Sequence, residues 1–394
     1  MKKTLKLAFA LVLLIVAVVL LALLKSNQAV AEWFSTTVFV GWVNFVGHVN
    51  SIFPFSVFEV LLYVAVVFAV VFLVWAITLF SQRKWTKGAN KFLILCIVAT
   101  SILTVYMSTA SMAYNREKLP IIEYNHTTSQ EKMDAHSAKE LAQFYADKLN
   151  QVSSQLERNQ DGTVKMPSFD EIFDLLMVEF EKLDNGYFSQ YTPKAKQLTS
   201  KWLFGNLKIA GVSFVVTGEP NVGSGNFYNL PQVMAHEIAH TKGVMRESDA
   251  NSVAYYVLLN SNNPYLQYAV LADVASSITT MVRKMQNQEN PSVNSEFNFN
   301  SLLDEQTFQG IVADKVAYGR YWSQFTAFED LGTWLNDVYL KLMGQSDGVG
   351  SYVEEGTSET QDKTDENGNQ VQVEVVISFS NFQNILIDHF LKIN

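Results

Sequence analysis

One cysteine, Cys96, stands in a chain of 394 residues, and it lies within an apolar stretch. No internal disulfide can form and no thiolate cluster can hold a metal, so any bound metal must take His and carboxylate ligands. Positive charge is in deficit over the larger part of the chain. Up to Ala113 eight Lys/Arg face two acids, Glu32 and Glu59, for +6, and with the whole chain at −9 residues 114–394 carry −15. That acidity speaks against nucleic acid as a partner and against a domain lying flat on anionic lipid. No internal repeat is present.

What the first 113 residues do contain is apolar length. The runs at about 5–24, 57–80 and 92–113 can each cross ~30 Å of hydrocarbon at about 1.5 Å per residue. An Ala29-Val30-Ala31 tripeptide could mark a signal-peptidase site, but the first run exceeds the ~7–15 apolar residues of a signal peptide, and an uncleaved anchor is expected. The loop from Ser81 to Lys87 is basic, whereas the first connection has only Lys25 against Glu32. The positive-inside rule therefore places the N-terminus and the basic loop in the cytoplasm and everything after Ala113 outside the cytoplasmic membrane. Between the first two runs, Trp33 to Ser56 reads as an interfacial segment at the outer leaflet. Glu59, just inside the second run, is expected to reach the headgroups.

Residues 114–394 read as an extracytoplasmic domain, mainly α with a small β component. Ser129 to Arg158 carries one apolar stripe at helical spacing. Ser168 with Glu171 forms a capping box that opens a helix running to about Leu183, ended by Asn185-Gly186. A short helical reading covers Pro193 to Phe204, and Gly211 to Thr217 is the best strand candidate, running into Gly218-Glu219-Pro220-Asn221 and a Gly/Ser/Asn loop through Asn229. Helices are expected over Asp249 to Leu259, Leu266 to Met285, most of Ser301 to Met343, and Phe382 to Ile393. Residues 353–376 read as an exposed acidic hairpin turning at Asn367-Gly368.

The chemistry concentrates at His236-Glu237-Ile238-Ala239-His240. On a helix, His236 and His240 stand one turn apart on one face and can share a zinc ion, while Glu237 leans over the same site as general base. Pro231 suits the first turn of this helix, and Gly243 can end it with φ > 0. The metzincin position for a third histidine is occupied by Arg246. Glu247 follows and is the expected third ligand, with Asp249 as the alternative; either Asp249 or Asn251 could orient a histidine. Donors to a developing oxyanion, or contacts to the substrate, are sought among Tyr228, Tyr318, Arg320 and Tyr321. His48, His126, His136 and His389 read as surface or packed side chains.

Several stretches together resemble an uncharacterised bacterial domain-of-unknown-function family of membrane-anchored, zinc-peptidase-like proteins. They are Phe53-Pro54-Phe55-Ser56, Thr217-Gly218-Glu219-Pro220-Asn221, Leu230-Pro231, the His236–His240 motif with Gly243, and Glu247-Ser248-Asp249-Ala250-Asn251. Asn336-Asp337-x-Tyr339-Leu340-Lys341, through Gly344-Gln345-x-Asp347-Gly348, to Tyr352 completes the set. The resemblance implies three N-terminal transmembrane helices and a gluzincin-like domain with His236, His240 and Glu247 as zinc ligands and Glu237 as catalyst, and it implies no substrate. Pro220 replaces an alanine of the family pattern, and the acidic hairpin looks inserted.

The expectation is a zinc metallopeptidase that uses a zinc-bound water on peptides or envelope proteins. The alternatives are a non-catalytic scaffold or sensor, in which Asp249 would close a four-ligand structural site, and a zinc amidase acting on cell-wall peptide. The N/O donor set does not by itself select zinc over other divalent metals.

Overall fold

The computed structural model describes residues 2–117, 133–183, 191–223, 225–290, 295–352, 356–364, 368–376 and 378–393. His126 and Asn185-Gly186 lie outside these residues, as does Asn367 of the expected hairpin turn.

Four helices are long and apolar enough to cross a membrane: Lys2–Leu24 (α1), Gln28–Ser51 (α2), Val57–Ser81 (α3) and Trp85–Ala113. The last consists of α4 (Trp85–Ser108) and a short buried α5 (Ala110–Ala113). α1 and α3 pack along α4 and leave most of their apolar side chains uncovered, as a lipid-facing bundle requires.

α2 behaves differently, although the sequence has only an interfacial segment there. It touches the rest of the protein along its length, through a bidentate Arg116–Glu32 pair (2.7 and 3.0 Å), Phe39 against Gly243, Trp42 Nε1 donating to the Val215 carbonyl (2.8 Å) and Asn50 Nδ2 to that of Thr217 (2.6 Å). Its middle turn, Phe34–Phe39, is π-helical. The hydroxyls of Ser35 and Thr36 bond the carbonyls of Ala31 and Glu32 four residues back and compete with the helix ladder there.

The remaining chain builds one apolar core from α6 (Ala135–Ser154), α7 (Phe169–Glu181), α9 (Leu230–Thr241), α10 (Glu247–Leu259), α11 (Pro264–Leu271), α12 (Val274–Glu289) and α15 (Asn381–Ile393). Both halves of the Ser168/Glu171 capping box are present at the start of α7. The single helix expected over Leu266 to Met285 is two, α11 and α12, and the stretch from Pro193 holds strand β1 (Lys196–Gln197) before helix α8 (Lys201–Asn206). α13 (Glu305–Ser323) and α14 (Glu329–Leu342) lie toward the outside of the core, and the hairpin of β4 (Ser358–Thr364) and β5 (Gln370–Val376) is held to α12 by Lys284–Glu374 (2.6 Å). His48 stacks on Tyr191, His136 is exposed, and His389 is buried against Tyr145.

The sheet beside α9 has the order β1-β3-β2, with β2 at Gly211–Phe214 and β3 at Glu219–Val222. The expected strand is therefore shorter. The Gly218-Glu219-Pro220-Asn221 segment is not a loop: Gly218 turns the chain at φ +64° and the rest is the central strand. Pro220 is tolerated there because β1 pairs only with Asn221 and Val222, so its missing N–H leaves no neighbour unpaired.

Two buried carboxylates tie this sheet to α3. Glu219 accepts from the N–H groups of Val57 (3.2 Å) and Phe58 (2.9 Å), the free donors of the first turn of α3, while Ser56 caps the same turn and bonds Asn221 (2.6 Å). Glu59 points the other way. It is 4% exposed and accepts from the N–H groups of Thr199 and Ser200, each at 2.8 Å, so it does not reach the headgroups. Removing it leaves two backbone donors without acceptors at about 1–3 kcal/mol each. Glu59→Ala should therefore lower the thermal midpoint of the detergent-solubilised protein by the equivalent of roughly 2–6 kcal/mol. Val60→Ala, on an exposed neighbour, should stay within about 0.5 kcal/mol, and similar midpoints for the two variants would refute the capping role.

Candidate metal centre

α9 begins with Pro231 in its first turn and ends where Gly243 adopts φ +93°. The chain then reverses, and α10 starts at Glu247, which brings that side chain back over the two histidines. Glu247 Oε2 lies 3.2 Å from His236 Nε2 and 3.4 Å from His240 Nε2. One ligand atom from each of His236, His240 and Glu247 falls within 4.8 Å of the others, and all three residues are buried.

The tautomers follow from the surrounding bonds. His240 Nδ1 is 2.7 Å from the Val244 carbonyl, which can only accept, so Nδ1 carries a proton and Nε2 is the nitrogen turned toward Glu247 and open to a metal. Asn251 donates its Nδ2 to the Tyr352 carbonyl (2.7 Å), which turns its Oδ1 toward His236 Nδ1 at 2.8 Å and fixes that ring in the same way. Both imidazoles are thus held as Nε2 ligands, and Asn251 does for His236 what a backbone carbonyl does for His240. Asp249 is elsewhere: it pairs with Arg246 Nε at 2.6 Å, and among the described residues it is not part of the cluster.

Glu237 is fully enclosed. Burial pushes its carboxyl up to about 7 against the opposing pull of His236 and His240, and the Ser213 N–H is its backbone donor. Its Oε2 has no partner. Gly211 makes this approach possible, since a Cβ there would lie 2.5 Å from Glu237 Oε1. Glu247 is also buried, which alone would raise it, yet His240 and His236 hold it down to about 2. Burial would lower His240, but Glu247 raises it to about 9. Two imidazole nitrogens and one carboxylate oxygen brought this close together are a donor set that a divalent cation satisfies. A zinc ion fits these residues.

The oxyanion candidates are not gathered here. The Tyr228 hydroxyl bonds Asp273 (3.1 Å), Tyr318 and Tyr321 pack on Phe227, and Arg320 is exposed. The tyrosines around the site are others. Tyr352 stacks on His236 with centroids 6.2 Å apart, and Tyr114 reaches Glu247 Oε1 and the Tyr339 hydroxyl, each at 3.5 Å. Burial first, with the charge of Glu247 acting the same way, keeps Tyr114, Tyr339 and Tyr352 protonated and able to donate.

Their sequence signal is the Asn336-to-Tyr352 pattern. Asn336 bonds the Tyr352 hydroxyl (3.4 Å), and Asp337 accepts from the Val349 N–H (3.3 Å) in a turn where Gly348 has φ +57°. An apolar cavity opens one turn of α9 ahead of Glu237, lined by Val233, Ala210, Phe204, Phe227, Tyr321 and Trp322.

Fold and site define a mainly helical protein with long apolar N-terminal helices and a buried His–His–Glu cluster. Residues 34–355 match the family described as "Protein of unknown function (DUF3810)", and the chain belongs to that family. No curated protein and no solved structure matches it.

Asn251→Ala should leave the fold intact and weaken metal affinity by about 10–100-fold, as loss of a group orienting a ligand does elsewhere. Chelator competition measures this, and unchanged affinity would mean that Asn251 does not position His236.

Proposed function

We propose that the protein is a membrane-anchored zinc metallopeptidase acting outside the cytoplasmic membrane. The observation that carries this reading is the unpartnered carboxylate oxygen of Glu237 beside three converging ligand atoms, enclosed by protein yet left without a donor. A site meant only to tie helices together would be closed by a fourth protein ligand, and Asp249 is spent on Arg246 instead. A zinc ion held by His236, His240 and Glu247 would supply a Lewis acid and lower the pKa of water to about 7. Glu237 then takes the proton of the attacking water and returns it to the leaving amine. Tyr339 or Tyr352 donates to the developing oxyanion.

The edge of β2 supports a peptide as substrate. Ser213 lies opposite Pro220, which has no N–H to give, so the polar groups of Ser213 and of Gly211 turn to the free edge, where the Ser213 N–H meets Glu237. An extended chain added there as a further strand passes directly by the site. The cavity beside Val233 suits an apolar side chain of that peptide. The basic loop Arg83, Lys84, Lys87 supports the cytoplasmic side for the turn between α3 and α4, and hence the outer side for the metal centre.

The test is Glu237→Gln in the full-length protein. It should keep zinc near one per chain and lose about 10²–10⁴-fold in cleavage of a peptide library. Absence of zinc from the wild type, or cleavage retained by the variant, would overturn the reading.

A further inference from the structure

α14 is amphipathic in an unusual direction. Gly332 and Leu340 are buried, and Asn336 and Asp337 are tied to the Tyr352 turn. Leu331, Trp334, Leu335 and Leu342 recur at helical spacing on the other side and are 47%, 59%, 47% and 67% exposed. Trp202 continues the stripe, 61% exposed and edge-on to Phe328 at 5.5 Å. A patch of large apolar side chains on a soluble face needs an occupant.

Two hydrogen bonds say where this face lies. The Tyr339 hydroxyl on α14 is 2.7 Å from that of Tyr106, in the last turn of α4. The Ser200 hydroxyl, two residues before Trp202, is bonded to that of Tyr63 in α3. Tyr63 is six residues into α3, about 9 Å along the helix at 1.5 Å per residue. Helix α3 has 25 residues, longer than a ~30 Å hydrocarbon core requires, so its first turns lie at the headgroup boundary. Trp202 and the α14 stripe therefore stand at the level where the outer leaflet begins, the depth that tryptophan favours. The exposed side of α2 repeats the pattern, with Phe45 and Val49 at 68% and 45%, and Ile52 just past its end is 79% exposed.

We propose that α14 and Trp202 are embedded in the outer leaflet of the membrane that α1, α3 and α4 cross. The metal centre would then work at the bilayer surface, on extended peptide segments adjoining a membrane anchor. This rests on the reading of those helices as spans and of the site as a peptidase. The acidity of the domain is no obstacle, because the stripe inserts by burying apolar area and needs no attraction to anionic lipid. The site follows the stripe down: one phenol, Tyr114, separates Glu247 from the Tyr106–Tyr339 pair.

The test uses the full-length chain in nanodiscs of phosphatidylethanolamine and phosphatidylglycerol, with Cys96→Ser and single spin labels at Leu331→Cys, Trp334→Cys, Leu342→Cys, Thr333→Cys and Phe9→Cys. The three stripe labels and the Phe9→Cys label should collide several-fold more with oxygen than with a water-soluble nickel chelate, and the Thr333→Cys label the reverse. Nickel access at the stripe with Phe9→Cys in lipid overturns the embedding, as does poor access of both reagents, the mark of a contact with a second copy. Phe9→Cys in water overturns the spans themselves.

In the same nanodiscs one peptide is offered on a transmembrane anchor and free in solution. The anchored form should be cut several-fold faster, and Trp334→Asp with Leu335→Asp should abolish that advantage while leaving the soluble rate unchanged. Equal rates overturn the substrate class, and cleavage of neither form overturns the peptidase reading while the spin labels still decide the embedding.

Discussion

Two carboxylates, Glu237 and Glu247, are buried together beside two imidazoles, and everything near them answers the electrostatic problem this creates. Charge removed from water must be paired or neutralised. Here the pairing is incomplete, since one oxygen of Glu237 is left without a donor while both rings are turned so that their Nε2 atoms point inward. The helix-ending Gly243, the glycine at position 211 and the carbonyls of Val244 and Tyr352 all serve that arrangement.

A second layer of the design concerns the long apolar N-terminal helices. The sheet that flanks the site is not suspended from them by a linker. Glu219 and Ser56 complete the first turn of α3, Asn221 bonds Ser56, and Glu59 completes the turn that leads to α8. α2 closes the other side, from Glu32 on Arg116 to Asn50 on Thr217.

How far the sequence discloses this depends on the range of the interactions involved. The helix of His236 and His240, its proline start and its glycine stop are written in local spacing, and so is the return of Glu247. The choice between Asp249 and Asn251 as the group that orients a histidine was open, because it depends on Arg246 claiming Asp249 and on Tyr352, 101 residues away, claiming the Asn251 amide. The strand at Glu219-Pro220-Asn221 is not legible locally, since proline is ordinarily excluded from a central strand. Its exemption comes from the short reach of β1, which no local pattern records. Glu59 looked like a headgroup contact, since only the fold brings Thr199 and Ser200 within its reach. The tyrosines around the metal centre were visible as a motif without a mechanism, and their role waits on a turn in which Gly348 lies against Asp337.

The reciprocal caps between α3 and the sheet have a mechanical meaning. A hydrogen bond to the first turn of a helix fixes orientation as well as distance, and two carboxylates acting in opposite senses, with Ser56–Asn221 between them, leave no free hinge axis. Strand β3 and the N-terminal end of α3 therefore move as one lever, and any tilt of the helix reappears as a rotation of the sheet whose edge strand, β2, faces Glu237.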